Sequence, residues 1–378
     1  MSMLKIIADE NIEFVREAFS DIGRLKTLPG RKISKNDVLD ADVLLTRSVT
    51  QIDEKLLAGT KIKFVGTATI GSDHIDKNYL EDNNVFFTSA AGCNSDAVVE
   101  YVFTALFHVA SQTEIELKDK TIGIVGVGNI GRRVAKVAST LGLKVLKNDP
   151  PLKRKSNSPE YLDLDELLQA DIITLHTPLI KEGIDKTFHL FDRKILNKLK
   201  NGSILINTSR GSVIDNSALN EIITTKNLNV VLDVWENEPS INIDLMEKAK
   251  IVTPHIAGYS LEGKVNGTLI LYNALCNFLS IFPTWRPQLP VVNEEIIISD
   301  SDIQQSLQKI FSKIYKIEKD DLNMRKIKKH DPKDRGSYFD TLRKNYLLRI
   351  EFPNYRVKLN YENAGLKSIL NAFRFNIE

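Results

Sequence analysis

Short apolar runs recur along the first three-quarters of the 378-residue chain. They predict strands at Leu4–Ala8, Val43–Arg47, Lys63–Gly66, Val85–Thr88, Ile122–Val125, Lys144–Lys147, Ile172–Leu175, Ser203–Asn207, Val230–Asp233 and Ile251–Thr253. Most are apolar along their whole length rather than alternating, which suits strands covered on both faces. Between them, apolar positions return at helical spacing, as in Ile130–Leu141 and Leu164–Ala170. The alternation predicts parallel sheets with helices on both sides. The stretch AVVEYVFTALFHVASQ reads as one long buried helix, a connector between two such sheets near Asp96–Leu117.

After about Pro283 the texture changes. FPTWRPQLPVV carries three prolines and reads as a linker. Beyond it the strand–helix rhythm stops. Ile303, Leu307, Ile310, Phe311 and Ile314 repeat at helical spacing, while Tyr346–Phe352 and Tyr355–Leu359 alternate like strands. This predicts a small, separate α+β domain. Residues 313–358 hold 14 Lys or Arg against 7 Asp or Glu.

Composition narrows the field. The net charge is +2, with 42% hydrophobic and 26% charged residues. That argues against a globally basic nucleic-acid binder and against an acidic disordered chain. Cys93 and Cys276 lie far apart with no CxxC pair. Neither a disulfide framework nor a cysteine-based metal site is expected, and a reducing, cytoplasmic setting fits. The opening MSMLKIIADENIEF has too short an apolar stretch for a signal peptide. No run approaches the roughly 18 apolar residues of a membrane span. At about 150 residues per domain the length predicts two or three domains.

TIGIVGVGNIGR (121–132) places Gly126, Gly128 and Gly131 directly after a strand and before a helix. The first glycine permits the tight turn, the second lets the backbone approach a pyrophosphate, and the third lets helix and strand pack closely. Asn129 and Ile130 complete the turn. The helix start offers free N–H groups and a positive dipole end to phosphates. Asp149 closes the next strand, 18 residues after Gly131. A carboxylate there can accept from ribose hydroxyls and would repel a 2′-phosphate, which favours NAD over NADP. The alternative is a glycine-rich turn that binds nothing.

Three polar signals follow at later strand ends, where open α/β sheets place ligands. Arg210 follows INTS and suits two-point contact with a carboxylate. Asp233 and Glu238 lie in LDVWENEP, and His255 in TPHIAGYS. A hydroxy-acid dehydrogenase needs a base for the hydroxyl proton, a carboxylate anchor and a cofactor pocket. His255, with an unperturbed pKa of about 6.5, can be the base, and Glu238 can orient its other ring nitrogen. Taken singly, Arg210 reads as a surface charge, His255 as a structural histidine, Asp233 as a cap and Glu238 as a turn residue. The other five histidines, His74, His108, His176, His189 and His330, lack this combination of neighbours.

GIVGVGNIGRRVA, HTPL (176–179), INTSRG, LDVWENEP and PHIAGYS together resemble the D-isomer-specific 2-hydroxyacid dehydrogenase family over most of residues 1–280. TRSVT (46–50), FVGTATIGSDHID (64–76), AAGCNSDAVVEYV (90–102), NDPP (148–151) and HIAGYSLEGK (255–264) are similar to one branch of it. That branch oxidises 4-phospho-D-erythronate to 2-oxo-3-hydroxy-4-phosphobutanoate in pyridoxal phosphate biosynthesis and carries a C-terminal dimerisation domain. The family's common NxAR motif reads NTSR here, with the arginine kept. The resemblance implies Arg210, Glu238 and His255 as the catalytic trio. It implies Ser48, Thr69 and Tyr259 as substrate contacts. For NAD it implies Asp149, Thr177, Asp233 and Gly258, with the loop Thr208, Ser209 and Arg210 nearby. Without it, Ser48 and Thr69 would read as strand-end caps. Arg47 is a further candidate for the phosphate.

The expected fold is α/β, with two doubly wound parallel-sheet domains and a small α+β C-terminal domain. Residues 1–92 and 257–285 would form a discontinuous substrate domain, 93–256 a Rossmann NAD domain and 286–378 a dimerisation domain. The two crossings suggest a hinge and closure over substrate. The expected partners are a phosphorylated hydroxy acid and a second copy of the chain, with no nucleic acid, membrane or metal. Rival expectations are another dehydrogenase of the family, such as 3-phosphoglycerate dehydrogenase, or an NAD-sensing corepressor using the basic C-terminal stretch.

Overall fold

Each of the ten predicted apolar runs forms a strand, shifted by at most one residue at either end. The computed structural model describes residues 3–378 apart from Val291, Asn293, Ser301 and Leu348. The chain divides into two units, Met1–Asn94 with Ser260–Pro290, and Ser95–Tyr259 with Val291–Glu378.

The first unit holds strands β1 (Lys5–Asp9), β2 (Arg24–Leu28), β3 (Val43–Thr46), β4 (Phe64–Thr67) and β5 (Phe86–Ser89). They pair in parallel in the order β2-β1-β3-β4-β5. One face packs on Leu271, Tyr272 and Leu275 of the returning helix Leu261–Phe278, and the other on Val38, Leu56, Leu57 and Leu80. Strand β2 lies outside the predicted set. It is an edge strand whose sequence RLKTL mixes charged and apolar residues, so it carries no apolar run.

The second unit holds β6 (Thr121–Val125), β7 (Lys144–Asn148), β8 (Ile172–Leu175), β9 (Ile204–Asn207), β10 (Asn229–Leu232) and β11 (Ile251–Val252). All pairings are parallel, in the order β11-β10-β9-β8-β6-β7. The strand order reverses between β6 and β8, and ligands of such sheets sit beyond the strand carboxyl ends at that point. The connector helix Ser95–Gln112 is buried along most of its length, as its sequence predicts.

The C-terminal segment adds a third parallel sheet, β12 (Glu295–Ile298), β13 (Arg356–Leu359) and β14 (Asn376–Ile377), in the order β12-β13-β14. Its core is continuous with that of the dinucleotide sheet. Phe373 meets Phe103 edge-on and Phe311 meets Phe107 edge-on, with centroids 5.2 and 5.1 Å apart. The helix Ile303–Ile314 forms where the spacing predicts it. The predicted strand Tyr346–Phe352 does not form. Its alternation reflects separate polar anchors instead: Tyr346 Oη donates to Asp320, Arg349 bonds backbone carbonyls and Glu351 meets Arg374. Leu348 lies outside the described residues.

Glu100 and Glu351 are both buried at this junction. One nitrogen of Arg374 reaches both, at 3.3 and 3.1 Å, and its other terminal nitrogen reaches Asp96 at 3.2 Å. Burial pushes the Glu100 carboxyl well above the usual carboxylate range, and the Glu351 charge adds to it. The folded state therefore keeps a proton that the unfolded chain has released. That contribution to stability is lost as pH rises from the ordinary carboxylate range through the folded pKa. Glu100→Gln mimics the neutral form and keeps the oxygen that accepts the Phe352 N–H. Its stability relative to the parent is expected to rise between about pH 6 and about pH 9 in urea unfolding. A difference independent of pH would refute the protonated state.

Candidate active site

The glycine turn follows β6. Gly126 has φ +86°, and a Cβ there would lie 2.6 Å from the His176 carbonyl oxygen. A Cβ on Gly131 would lie 1.9 Å from the Gly126 oxygen. Both glycines are thus imposed by backbone packing. Gly128 differs, since a Cβ there meets nothing within 4 Å. The turn leaves room at its middle glycine, where a ligand's pyrophosphate would approach. The helix Gly131–Thr140 starts beside it.

Asp149 caps the helix Pro150–Ser156, accepting from Leu152 N at 3.0 Å, and its other oxygen accepts from Val127 N at 2.8 Å. It therefore fixes the glycine turn and stays partly exposed at the end of β7. Thr177 follows β8, and its hydroxyl is buried with no partner among the described residues. The open side of Gly128, the Asp149 carboxyl and the Thr177 hydroxyl together fit a dinucleotide. Other predicted contacts have local work. Asn129 accepts from Arg132, while the Ser209 hydroxyl and N–H both donate to Asn207 Oδ1. The Thr208 hydroxyl lies 3.4 Å from His176 Nδ1. Burial pushes the His176 imidazole down to about 3, so it is neutral at working pH.

Glu238 and His255 come together. Glu238 Oε2 lies 2.8 Å from His255 Nδ1. A carboxylate can only accept, so Nδ1 carries the hydrogen and Nε2 is left as the basic nitrogen. Glu238 Oε1 accepts from Trp235 N at 2.8 Å. Burial pushes the Glu238 carboxyl upward. The His255 charge and hydrogen bond, the Trp235 N–H and the Arg343 charge outweigh burial and hold it below the usual range.

His255 sits in the left-handed region at φ 59°. The loop around it is held by Asp233. Asp233 Oδ1 accepts from Ile256 N (2.8 Å) and the Thr253 hydroxyl (2.6 Å), Oδ2 accepts from Ala257 N (3.0 Å), and its backbone carbonyl accepts from His255 N (2.7 Å). The carboxyl thus serves the His255 loop, and a nicotinamide contact for it rests on the resemblance alone.

Arg210 leaves β9 half-buried, with its guanidinium donating to the Ser209 carbonyl at 2.8 Å. A Cβ on the next residue, Gly211, would lie 1.8 Å from the Trp235 carbonyl carbon. Only a glycine lets the Arg210 loop approach the Trp235–Glu238 turn this closely.

In the first unit, Ser48 lies on an exposed turn after β3. The Thr69 hydroxyl donates to Gly71 O (2.9 Å) and contacts Thr67 (2.8 Å). Lys264 was not among the predicted residues. Its ammonium pKa is lowered by burial and then by the Arg47 charge, and Glu13 opposes this from 3.9 Å. A second imidazole–carboxylate pair also went unread, His189 with Glu236 at 2.6 Å. Its carboxylate is 47 residues away in sequence, so no local pattern announces it. Among the described residues, no three His, Cys, Asp or Glu side chains are grouped to hold a metal, and no helix is long and apolar enough to cross a membrane.

The two glycines should separate on substitution. Gly128→Ala is expected to keep the parent's stability and weaken NAD binding at least tenfold. Gly131→Ala is expected to lose about 1–3 kcal/mol in urea unfolding, because its Cβ meets backbone. Equal stability losses in the two variants would contradict this geometry.

A family profile described as D-isomer specific 2-hydroxyacid dehydrogenase, NAD binding domain, matches residues 101–257. A second, described as a domain of unknown function, matches residues 289–372. Erythronate-4-phosphate dehydrogenase from Escherichia fergusonii is 42% identical over 384 aligned residues, covering 99% of this chain and 98% of that one. The protein of the same name from Escherichia coli is 43% identical at the same coverage. Among solved structures, D-lactate dehydrogenase from Aquifex aeolicus, complexed with NAD and lactic acid, aligns with TM-score 0.62 and 27% identity over 73% of this chain and 95% of that one. NAD-bound 3-phosphoglycerate dehydrogenase from Entamoeba histolytica aligns with TM-score 0.63 and 26% identity over 74% and 96%. The chain belongs to the erythronate-4-phosphate dehydrogenases, an NAD-dependent group within the D-isomer-specific 2-hydroxyacid dehydrogenase family.

Proposed function

We propose that the protein oxidises 4-phospho-D-erythronate at C2 to 2-oxo-3-hydroxy-4-phosphobutanoate, with NAD as acceptor, in the synthesis of pyridoxal phosphate. The observation that carries this is end-to-end likeness to relatives of that name, with the His255–Glu238 pair intact.

The Gly126–Gly131 turn, Asp149, Thr177, Thr208, Ser209, Asp233 and Gly258 would hold NAD. Bound NAD supplies the hydride acceptor. Arg210 holds the substrate carboxylate by a planar two-point contact. His255 Nε2 takes the C2 hydroxyl proton as the C2 hydrogen departs with its electron pair, leaving a carbonyl. Glu238 keeps the imidazole oriented and stabilises the imidazolium that forms. Ser48, Thr69 and Tyr259 contact the substrate, and Arg47 with Lys264 adds positive charge for its phosphate.

We assign the protein to the cytoplasm, since both cysteines are free thiols. We also assign it as a homodimer through the C-terminal segment, where Leu347 is 86% exposed and Ile297 of β12 is 56% exposed. Light scattering should then give twice the chain mass of 42.7 kDa.

Steady-state NADH formation tests the reaction. The parent is expected to turn over 4-phosphoerythronate at least a hundredfold more efficiently than 3-phosphoglycerate. His255→Asn should lower kcat by about 10²–10⁴-fold while NAD still binds. Arg210→Lys should raise KM for the acid and lower kcat, because lysine lacks the planar fork. Preference for 3-phosphoglycerate would overturn the substrate, and normal turnover by His255→Asn would overturn the mechanism.

A further inference from the structure

The C-terminal segment makes four sets of contacts with β11, the residues ahead of it and the loop after it that carries His255. Asp321 accepts from Val252 N of β11 at 2.8 Å. Arg325 donates to the carbonyls of Met246, Ala249 and Lys250, just ahead of that strand. Arg349 bonds four carbonyls with one guanidinium. Its Nη1 reaches Ile256 O and Tyr259 O, both at 3.3 Å, and its Nη2 reaches Ala257 O and Ala97 O. Its plane also lies over the Tyr315 ring, 4.7 Å from the centroid. Finally, Arg343 Nη2 donates to Tyr259 Oη at 3.2 Å, with its guanidinium carbon 5.8 Å from that ring's centroid. The Tyr346 ring meets that of Tyr259 edge-on, with centroids 6.1 Å apart.

These contacts are not those of a generic docking face. Three of the four carbonyls held by Arg349 fall within four residues after His255. An unsupported loop would not keep His255 in a left-handed conformation, which costs a non-glycine residue energy that the surroundings must offset. Asp233 satisfies the N–H groups of this loop, and Arg349 satisfies its carbonyls. One holds it from the sheet and the other from the C-terminal segment. Arg343 acts on the next group along. Its charge is one of those that keep the Glu238 carboxyl low, and its hydrogen bond orients the Tyr259 hydroxyl.

We propose, on the catalytic roles assigned to His255 and Glu238 above, that the C-terminal segment is a working part of the catalytic site: Arg349 and Arg343 are positioning residues that hold the 255–259 loop and the Tyr259 hydroxyl in register with the Glu238–His255 pair. The segment's function is therefore not confined to joining subunits. Arg343 acts through Tyr259 and Glu238 and is not itself required to touch the reacting carbon.

The test uses the full-length protein with 4-phosphoerythronate and NAD. Arg343 is partly buried and its guanidinium donates to Tyr259, so it is the main probe, and tight NAD binding reports that each variant is folded. Arg343→Met is expected to lower kcat by about tenfold to a hundredfold, the range for sub-ångström to 1 Å misplacement, with affinity for NAD unchanged. Arg343→Lys should recover part of the loss. In a Tyr259→Phe background, Arg343→Met should cost less than it does in the parent, because its hydrogen-bond acceptor is already gone and only its charge effect on Glu238 is left to lose. Arg349→Lys should lower kcat with KM for NAD unchanged. If that variant fails to fold, the Arg343 series decides alone. Parental kcat in Arg343→Met, or full additivity of the two substitutions, would overturn the proposal. His255→Asn separates the two levels: its normal turnover would remove the catalytic assignment itself, whereas a silent Arg343→Met beside an inactive His255→Asn removes the positioning role alone.

Discussion

The Asp233 carboxyl group is the point on which the catalytic end of the second unit depends. It is 1% exposed and closes three hydrogen bonds to residues 253–257. Because Thr253 donates to Asp233, the Tyr101 hydroxyl donates to Thr253 in turn, at 2.6 Å. Trp235 Nε1 closes the Thr253 carbonyl at 3.0 Å. Thus the connector helix, the end of β10 and the residues after β11 are bonded through one buried carboxyl. A buried polar network is stabilising only when its members are satisfied, and this one is closed at each of these atoms. His255 is then held in place by its backbone, and its ring is free to be oriented by Glu238. Preorganisation of this kind lets a general base act without paying for its own alignment in the transition state.

The same logic recasts the basic C-terminal stretch. In sequence its excess of positive charge offered a surface for a rival, corepressor-like reading. Two of its arginines turn inward and end on backbone carbonyls: Arg325 on residues 246, 249 and 250, and Arg349 on residues 97, 256, 257 and 259. Arginine suits this task because its planar fork offers five donors and no acceptor. Carbonyls at strand ends and loops have lost their ladder partners, and a guanidinium can satisfy several at once. The interior contacts of Arg349 need no counter-charge at each carbonyl, and the Glu351 carboxylate is among the groups that favour its charge.

Legibility followed the range of the interaction. The parallel sheets were visible because doubly covered strands are apolar runs, and such runs are local. The glycine turn and the order of Arg210, Glu238 and His255 were visible because each sits at a strand end with a distinctive short motif. Strand β2 was hidden because an edge strand mixes polarity, and β14 because two residues, Asn376–Ile377, make no pattern. Alternation misled at Tyr346–Phe352, where Tyr346, Arg349 and Glu351 answer to different partners. Arg343, Arg349 and the His189–Glu236 pair were hidden because their partners lie 47 to 252 residues away. Asp233 was found, but the hydrogen bonds by which it holds the His255 loop had no local signal. A short motif marks where a residue stands and is silent on which of several neighbours it serves.

The first unit illustrates how an energetic mismatch can mark a function that motif reading weights too lightly. Arg47 and Lys264 are placed so that the arginine's charge disfavours protonation of the lysine, and burial disfavours it further. Glu13, at 3.9 Å, opposes this, and the Lys264 pKa stays lowered, by burial first and by the Arg47 charge second. A folded chain gains nothing from crowding two cations, and perturbed groups of this sort gather at functional sites. A phosphate monoester carries close to two negative charges at neutral pH. Bound beside Ser48, it would reverse the sign of the local field and restore the lysine's proton affinity. On this view the phosphate is recognised mainly by charge, the hydroxyls of Ser48 and Thr69 setting its orientation. On the proposed function, a 2-hydroxy acid without a phosphate would lack the charge that meets Arg47 and Lys264, and specificity of this kind is a difference in binding between the two acids.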